Sequence, residues 1–174
     1  MNFLSLTNSH LFGITQRMNN SNDIWYMNRA LDQAIKAQHL DEVPIGAVVV
    51  DSQGKVISEG HNLKESKNNP CGHAEILALE KAGVALNNWR LLDCTVYVTL
   101  EPCPMCMMAL VHSRVSRVVF GAYDIKGGSI SLGFNFNHNP RLNHKFKICG
   151  GVNHFECSKI LSDFFRVKRS YYKK

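Results

Sequence analysis

What most limits the fold of this chain is an alternation of strand-like and helix-like segments through its middle. Residues 45–50 are β-branched and apolar on both faces. A turn of Asp51, Ser52, Gln53 and Gly54 then leads into a second strand over residues 55–60, so a hairpin buried in a sheet is expected. Residues 73–82 are rich in Ala, Leu and Glu with no breaker before Gly83, which predicts a helix. A strand follows over residues 95–100, with Val96, Val98 and Leu100 on one face. Residues 103–112 are helical in composition with Pro102 near the first turn, and residues 115–120 form another β-branched run. Such alternation implies right-handed crossovers and a sheet covered on both faces. The expected fold is a three-layer α/β/α sandwich with a mixed central sheet of about five strands.

The ends of the chain frame this unit. Near Asp23 the apolar positions Met27, Ala30, Leu31, Ala34 and Ile35 recur at three- and four-residue steps, with Ser21, Asn22 or Asp23 available as N-cap. Residues 121–143 are rich in Gly and Asn and read as a binding loop or a partly disordered segment. After a weak strand at residues 145–149, the apolar spacing of Cys157, Ile160, Leu161, Phe164 and Phe165 predicts a final amphipathic helix. The division is a loose tail over residues 1–22, with Met18 a possible second start, and one domain over residues 23–174. A chain of 174 residues with 45% hydrophobic content suits that single domain. The tail lacks the features of a secretory signal, and no stretch nears the roughly 20 apolar residues of a membrane span. A soluble cytoplasmic protein with reduced cysteines and no membrane partner is expected, since Cys103 and Cys106 are too close in sequence for an ordinary structural bridge.

Two short clusters carry the chemistry: His73-Ala74-Glu75 and Pro102-Cys103-Pro104-Met105-Cys106. Residues two apart on a helix point to nearly opposite sides, so His73 and Glu75 converge only if the site lies off the helix N-terminus. A helix N-terminus favours thiolates, the form that binds metal, at Cys103 and Cys106. One imidazole and two thiolates suit Zn2+, and three protein ligands leave the fourth tetrahedral position to water. Zinc would lower the pKa of that water from 15.7 toward about 7, with Glu75 as the adjacent carboxylate that takes its proton. The competing reading is a closed structural site with Cys71 as a fourth ligand, which would leave Glu75 without a purpose.

The order H-x-E followed by P-C-x-x-C is the signature of the zinc deaminases. Further segments are Glu42-Val43-Pro44-Ile45-Gly46-Ala47-Val48, Gly60-His61-Asn62, Asn88-Trp89-Arg90-Leu91, His112-Ser113-Arg114, Asn143-His144 and Leu161-Ser162-Asp163-Phe164-Phe165-Arg166. With these the chain, over residues 25–168, resembles the bacterial tRNA-specific adenosine deaminases of the cytidine deaminase superfamily. The resemblance implies hydrolysis of a wobble adenosine to inosine in a tRNA anticodon stem-loop by a homodimer, with one zinc per subunit and no organic cofactor. It further implies that Asn62 contacts the flipped-out nucleoside and Asp124 a neighbouring ribose. Val43 and Pro44 would form part of the base pocket, the backbone near Ala74 or Leu100 would hold the base edge, and His144 would touch substrate. Phe164, Phe165 and Arg166 would lie beside the anticodon loop. Cys71-Gly72 before His73, and Tyr123 and Ile125 around Asp124, depart from the family pattern.

Charge agrees with an RNA partner. The net charge is +6, and Lys159, Arg166, Lys168, Arg169, Lys173 and Lys174 face only Glu156 and Asp163 in the last nineteen residues. Basic residues interleaved with Phe and Tyr fit phosphate neutralisation plus stacking on unpaired bases. The alternatives are a deaminase of free guanine, cytosine or nucleosides, which needs no basic face, and a non-catalytic zinc protein that only binds RNA.

Overall fold

The computed structural model describes residues 21–171, so most of the expected tail, Met18, and Lys173 and Lys174 lie outside the described residues. Helix α1 (Ser21–His39) leads into strands β1 (Gly46–Val50) and β2 (Val56–His61). Helix α2 (Ala74–Ala85), strand β3 (Thr95–Leu100), helix α3 (Pro104–His112) and strand β4 (Arg117–Ala122) follow, and strand β5 (Lys147–Gly150) and helix α4 (His154–Tyr171) close the chain. The five strands form one mixed sheet in the order β2-β1-β3-β4-β5. β1 is antiparallel to both β2 and β3, while β3, β4 and β5 run parallel.

Alternation along each strand sorts the core into two layers. Ala47, Val49, Val96, Val98, Val118 and Phe120 face one side, where they pack with Ala74, Ala78 and Ala82 of α2 and Met107, Leu110 and Val111 of α3. Val48, Val50, Tyr97 and Val119 face the other, against Met27 and Ala30 of α1 and Cys157 of α4. Both faces are therefore covered, as the three-layer expectation required.

Three details differ from the sequence reading. Gly83 does not stop α2, which continues to Ala85 and ends where Asn87 takes a positive φ of 48°. A half-buried glycine inside a helix only weakens the turn, whereas an asparagine tolerates the left-handed conformation that closes a helix. Helix α1 already includes Ser21, Asn22 and Asp23, the three candidate caps, so Asp23 is not its cap. Its buried carboxylate instead takes both guanidinium nitrogens of Arg117 at 2.7 Å and the Tyr97 hydroxyl at 2.8 Å, clamping α1 to β3 and β4. Third, residues 121–143 fold back as successive turns. Ser129 N–H donates to the Pro102 carbonyl, and buried Glu101 accepts from Asp124 N–H, Ser131 N–H and the Ser131 hydroxyl. Gly128 permits this approach, because a Cβ there would sit 2.5 Å from both Glu101 carboxylate oxygens.

Removal of the Asp23 clamp tests its weight. Asp23→Ala strands the Arg117 guanidinium and the Tyr97 hydroxyl, and the expected loss is about 3 kcal/mol, the low end for breaking a buried pair because water still reaches Arg117. Urea unfolding measures it directly, and a loss under about 1 kcal/mol would mean that the pair behaves as an exposed surface bridge.

Candidate metal centre

The topology gathers the chemistry at one edge of the sheet, the carboxyl end of β3. β1 runs antiparallel to β3, so its entrance, carrying Val43 and Pro44, lies there, and so does the exit of β2 at Asn62. Helices α2 and α3 lie on one face of the sheet, and both begin at this edge. Gly60 lets β2 approach α2 closely, since a Cβ at that position would lie 2.5 Å from the Ala74 carbonyl oxygen.

His73 and Cys103 occupy the same position on their helices. Each is the N-cap in extended conformation, with φ −74° and −68°, and neither side chain caps its own helix. Their carbonyls take the first helical hydrogen bonds, from Leu77 and Met107, while the side chains are released toward each other. His73 Nδ1 lies 3.7 Å from Cys103 Sγ and 3.5 Å from Cys106 Sγ. Tetrahedral zinc, with Zn–S near 2.3 Å and Zn–N near 2.0–2.1 Å, separates such ligand atoms by about 3.6 Å. The three ligand atoms all lie within 4.8 Å of one another, so the donor set fits the ion in both chemistry and spacing. Cys71 is exposed and is not part of the cluster, so it does not close the coordination as a structural site would require.

Electrostatics divide the metal-free pair of thiols. A hydrogen bond from Cys106, aided by His73, brings the Cys103 thiol down to about 4. Cys106, which shares its proton with Cys103 and is buried, is pushed up. The hydrogen bond to Cys103 raises His73. Glu75, on the first turn of α2 and only 4% exposed, is raised by burial, and it touches Cys106. A buried carboxylate with a raised pKa beside the ligands is equipped to take and return a proton.

The remaining expected residues fall into three groups. Val43, buried Pro44, Asn62, Ala74 and Leu100 lie along the edge that carries the cluster, Asn62 through its N–H bond to Ile45 and Leu63 through its bond to Gly72. Asp124 follows β4 at the same edge, where its carboxylate accepts from Lys126 and Gly127 N–H and shapes its own loop. His144 stands apart: its Nε2 is 2.7 Å from the carbonyl of Val115, before the amino end of β4, at the opposite end of the sheet. On α4, Phe164 is buried beneath the Lys168 ammonium, whereas Phe165 is 42% exposed and Arg166 pairs with Asp163 at 2.9 Å. Lys168 reaches Asp41 at 2.5 Å, which lays the end of α4 beside the loop that carries Val43 and Pro44. Two buried carboxylates at this edge, Glu42 and Glu101, received no role from the sequence, because an acidic residue with no recognised partners reads as solvated surface.

Comparison with known proteins agrees with this geometry. Residues 20–122 match the family described as the cytidine and deoxycytidylate deaminase zinc-binding region. The chain is 48% identical over 147 residues to a tRNA-specific adenosine deaminase of Bacillus subtilis, covering 84% of this chain and 91% of that protein. It is 47% identical over 143 residues to one of Haemophilus influenzae, covering 82% and 83% of the two chains. A solved structure from a study of A-to-I editing by tRNA:A34 deaminases at the wobble position superposes with a TM-score of 0.75 at 39% identity, covering 79% of this chain and 99% of that one.

Proposed function

We propose that this chain, which belongs to the zinc-binding deaminase family and within it to the tRNA-specific adenosine deaminases, converts a wobble adenosine of a tRNA anticodon loop to inosine. The observation that carries the reading is an open three-ligand cluster with a buried carboxylate beside it, in a chain nearly half identical to enzymes named for this substrate. Zinc held by His73, Cys103 and Cys106 supplies, when bound, the Lewis acid that makes water nucleophilic at neutral pH.

The protein's part is proton transfer and positioning. As a water oxygen adds to C6 of adenine, Glu75 takes its proton and gives it to N1. Glu75 then takes the second proton from the new hydroxyl and delivers it to the amine, which leaves as ammonia. The Ala74 N–H, one of the orphan donors of a helix start, faces no intrahelical partner and can hold the base edge. Asn62, Val43, Pro44 and Leu100 enclose the nucleoside, and Asp124, Phe165 and Arg166 meet the flanking RNA. Arg166 and Lys168 are engaged with Asp163 and Asp41, but surface pairs of this kind hold by about 1 kcal/mol at most and yield to phosphate. A homodimer is part of the same proposal, supported by exposed Val84 in the last turn of α2 and exposed Trp89 and Leu92 after it. A cytoplasmic site of action belongs to it as well, and among the described residues no helix is long and apolar enough to cross a membrane.

The test is inosine formation by zinc-loaded protein on an anticodon stem-loop with a wobble adenosine, run beside free adenosine, guanine and cytosine. Turnover of the stem-loop alone is expected. Turnover confined to a free base or nucleoside would keep the chemistry and replace the substrate.

A further inference from the structure

Glu42 is a buried carboxylate that the proton-transfer scheme leaves unused. It lies in the short loop between α1 and β1, directly before Val43 and Pro44, and its side chain is wholly shielded from solvent. A bare carboxylate in such a place is costly unless donors satisfy it. Burial drives the Glu42 carboxyl upward, yet the donors around it prevail and leave it below the usual carboxylate range, so it is charged. Ser66 N–H at 2.6 Å and Glu65 N–H at 3.2 Å are among the donors that lower it, and as a third donor the side-chain amide of Asn62 gives its Nδ2 hydrogen to Oε2 at 3.2 Å.

The third donor distinguishes Glu42 from a simple loop staple. An asparagine amide can turn over and exchange its donor and acceptor ends, and an acceptor-only partner permits one of the two orientations. Asn62 is itself 5% exposed and borders the metal edge, and its Oδ1 has no hydrogen-bond partner among the described residues. With one Nδ2 hydrogen committed to Glu42, the Oδ1 and the second Nδ2 hydrogen are left in fixed places. A charge-assisted bond is stronger than a neutral one, which suits it to holding an amide against rotation while substrate is absent.

We propose that Glu42 is a positioning residue that locks the Asn62 amide in the orientation in which it receives the target nucleoside. This rests on the assignment of Asn62 to the nucleoside site. Glu42 touches neither substrate nor metal; it acts through Asn62, with the main-chain bonds to Glu65 and Ser66 holding the connecting loop in register. Glu42→Gln introduces a donor that can face the Asn62 amide and turn it around.

The experiment has two readouts. The first needs no substrate: the side-chain amide protons of Asn62, assigned by their disappearance in Asn62→Ala, are followed by NMR hydrogen exchange in the zinc-loaded wild type. One proton protected from exchange is expected, with protection lost in Glu42→Gln, and a freely exchanging amide in the wild type overturns the proposal. The second is a double-mutant cycle in kcat/KM on the wobble-adenosine stem-loop. Glu42→Gln is expected to lose roughly 10- to 100-fold, the scale of a small misplacement of reacting groups, with zinc content unchanged. In the Asn62→Ala background the same change is expected to cost little more. An equal loss in both backgrounds reduces Glu42 to a loop staple and overturns the assignment. The wild-type exchange measurement stands even where Glu42→Gln folds poorly or the substrate proves to be another nucleobase.

Discussion

Glu75→Gln is expected to lower kcat for inosine formation by roughly 10^2- to 10^4-fold, the usual contribution of a positioned general acid–base group. The amide keeps the size and burial of the side chain, which sits 4% exposed on the first turn of α2, so zinc content and folding should stay at wild-type levels. What disappears is the ability to hold a proton between its removal from water and its delivery to the base. Zinc analysis and single-turnover rates on the stem-loop separate these outcomes. Loss of zinc in the variant would make Glu75 a ligand, and unchanged turnover would move the proton shuttle elsewhere.

Replacement of Cys103 by Ala should remove both metal and activity. The remaining imidazole and single thiol cannot hold the ion through dialysis against a chelator, and without it the protein retains proton transfer but no nucleophile, so turnover should fall below detection. Cys71→Ala, by contrast, should leave zinc and turnover unchanged, because Cys71 is exposed and outside the cluster. Zinc loss from Cys71→Ala would restore the closed, structural reading. Acid should release the metal from the wild type, with the sign set by the ligands. His73 and Cys106 are both raised, so protons compete with zinc for them as pH falls, whereas Cys103 is a thiolate down to about pH 4. Retention therefore climbs with pH, and a chelator titration at several pH values reads the trend.

The chemistry was legible because it is written in local spacing. His73 and Glu75 flank one residue, Cys103 and Cys106 stand at C-x-x-C, and each cluster opens a segment of helical composition, so their place at two helix N-termini follows without coordinates. The strands were legible for a related reason: β-branched runs buried on both faces have few other places to go, and residues 95–100 match β3 residue for residue. Segment ends were less well specified. Gly83 carries a breaker signal too weak to end a helix, and the cap signal of Asp23 was overridden because Arg117 and Tyr97, on strands distant in sequence, offered its carboxylate stronger partners.

By itself, then, the sequence determined the layers of the fold, the three metal ligands and the carboxylate beside them, since each follows from residue type and short-range periodicity. Only the tertiary structure decided the rest of the site. It took the antiparallel placement of β1 against β3 to bring Val43, Pro44 and Asn62 to the edge where α2 and α3 begin, and it sent His144 to the opposite end of the sheet. The roles of Glu42 and Glu101 were hidden for the same reason. A carboxylate's meaning depends on its donors, and theirs are N–H, hydroxyl and amide groups about 20 to 30 residues away, which come into reach only when the chain is closed around them.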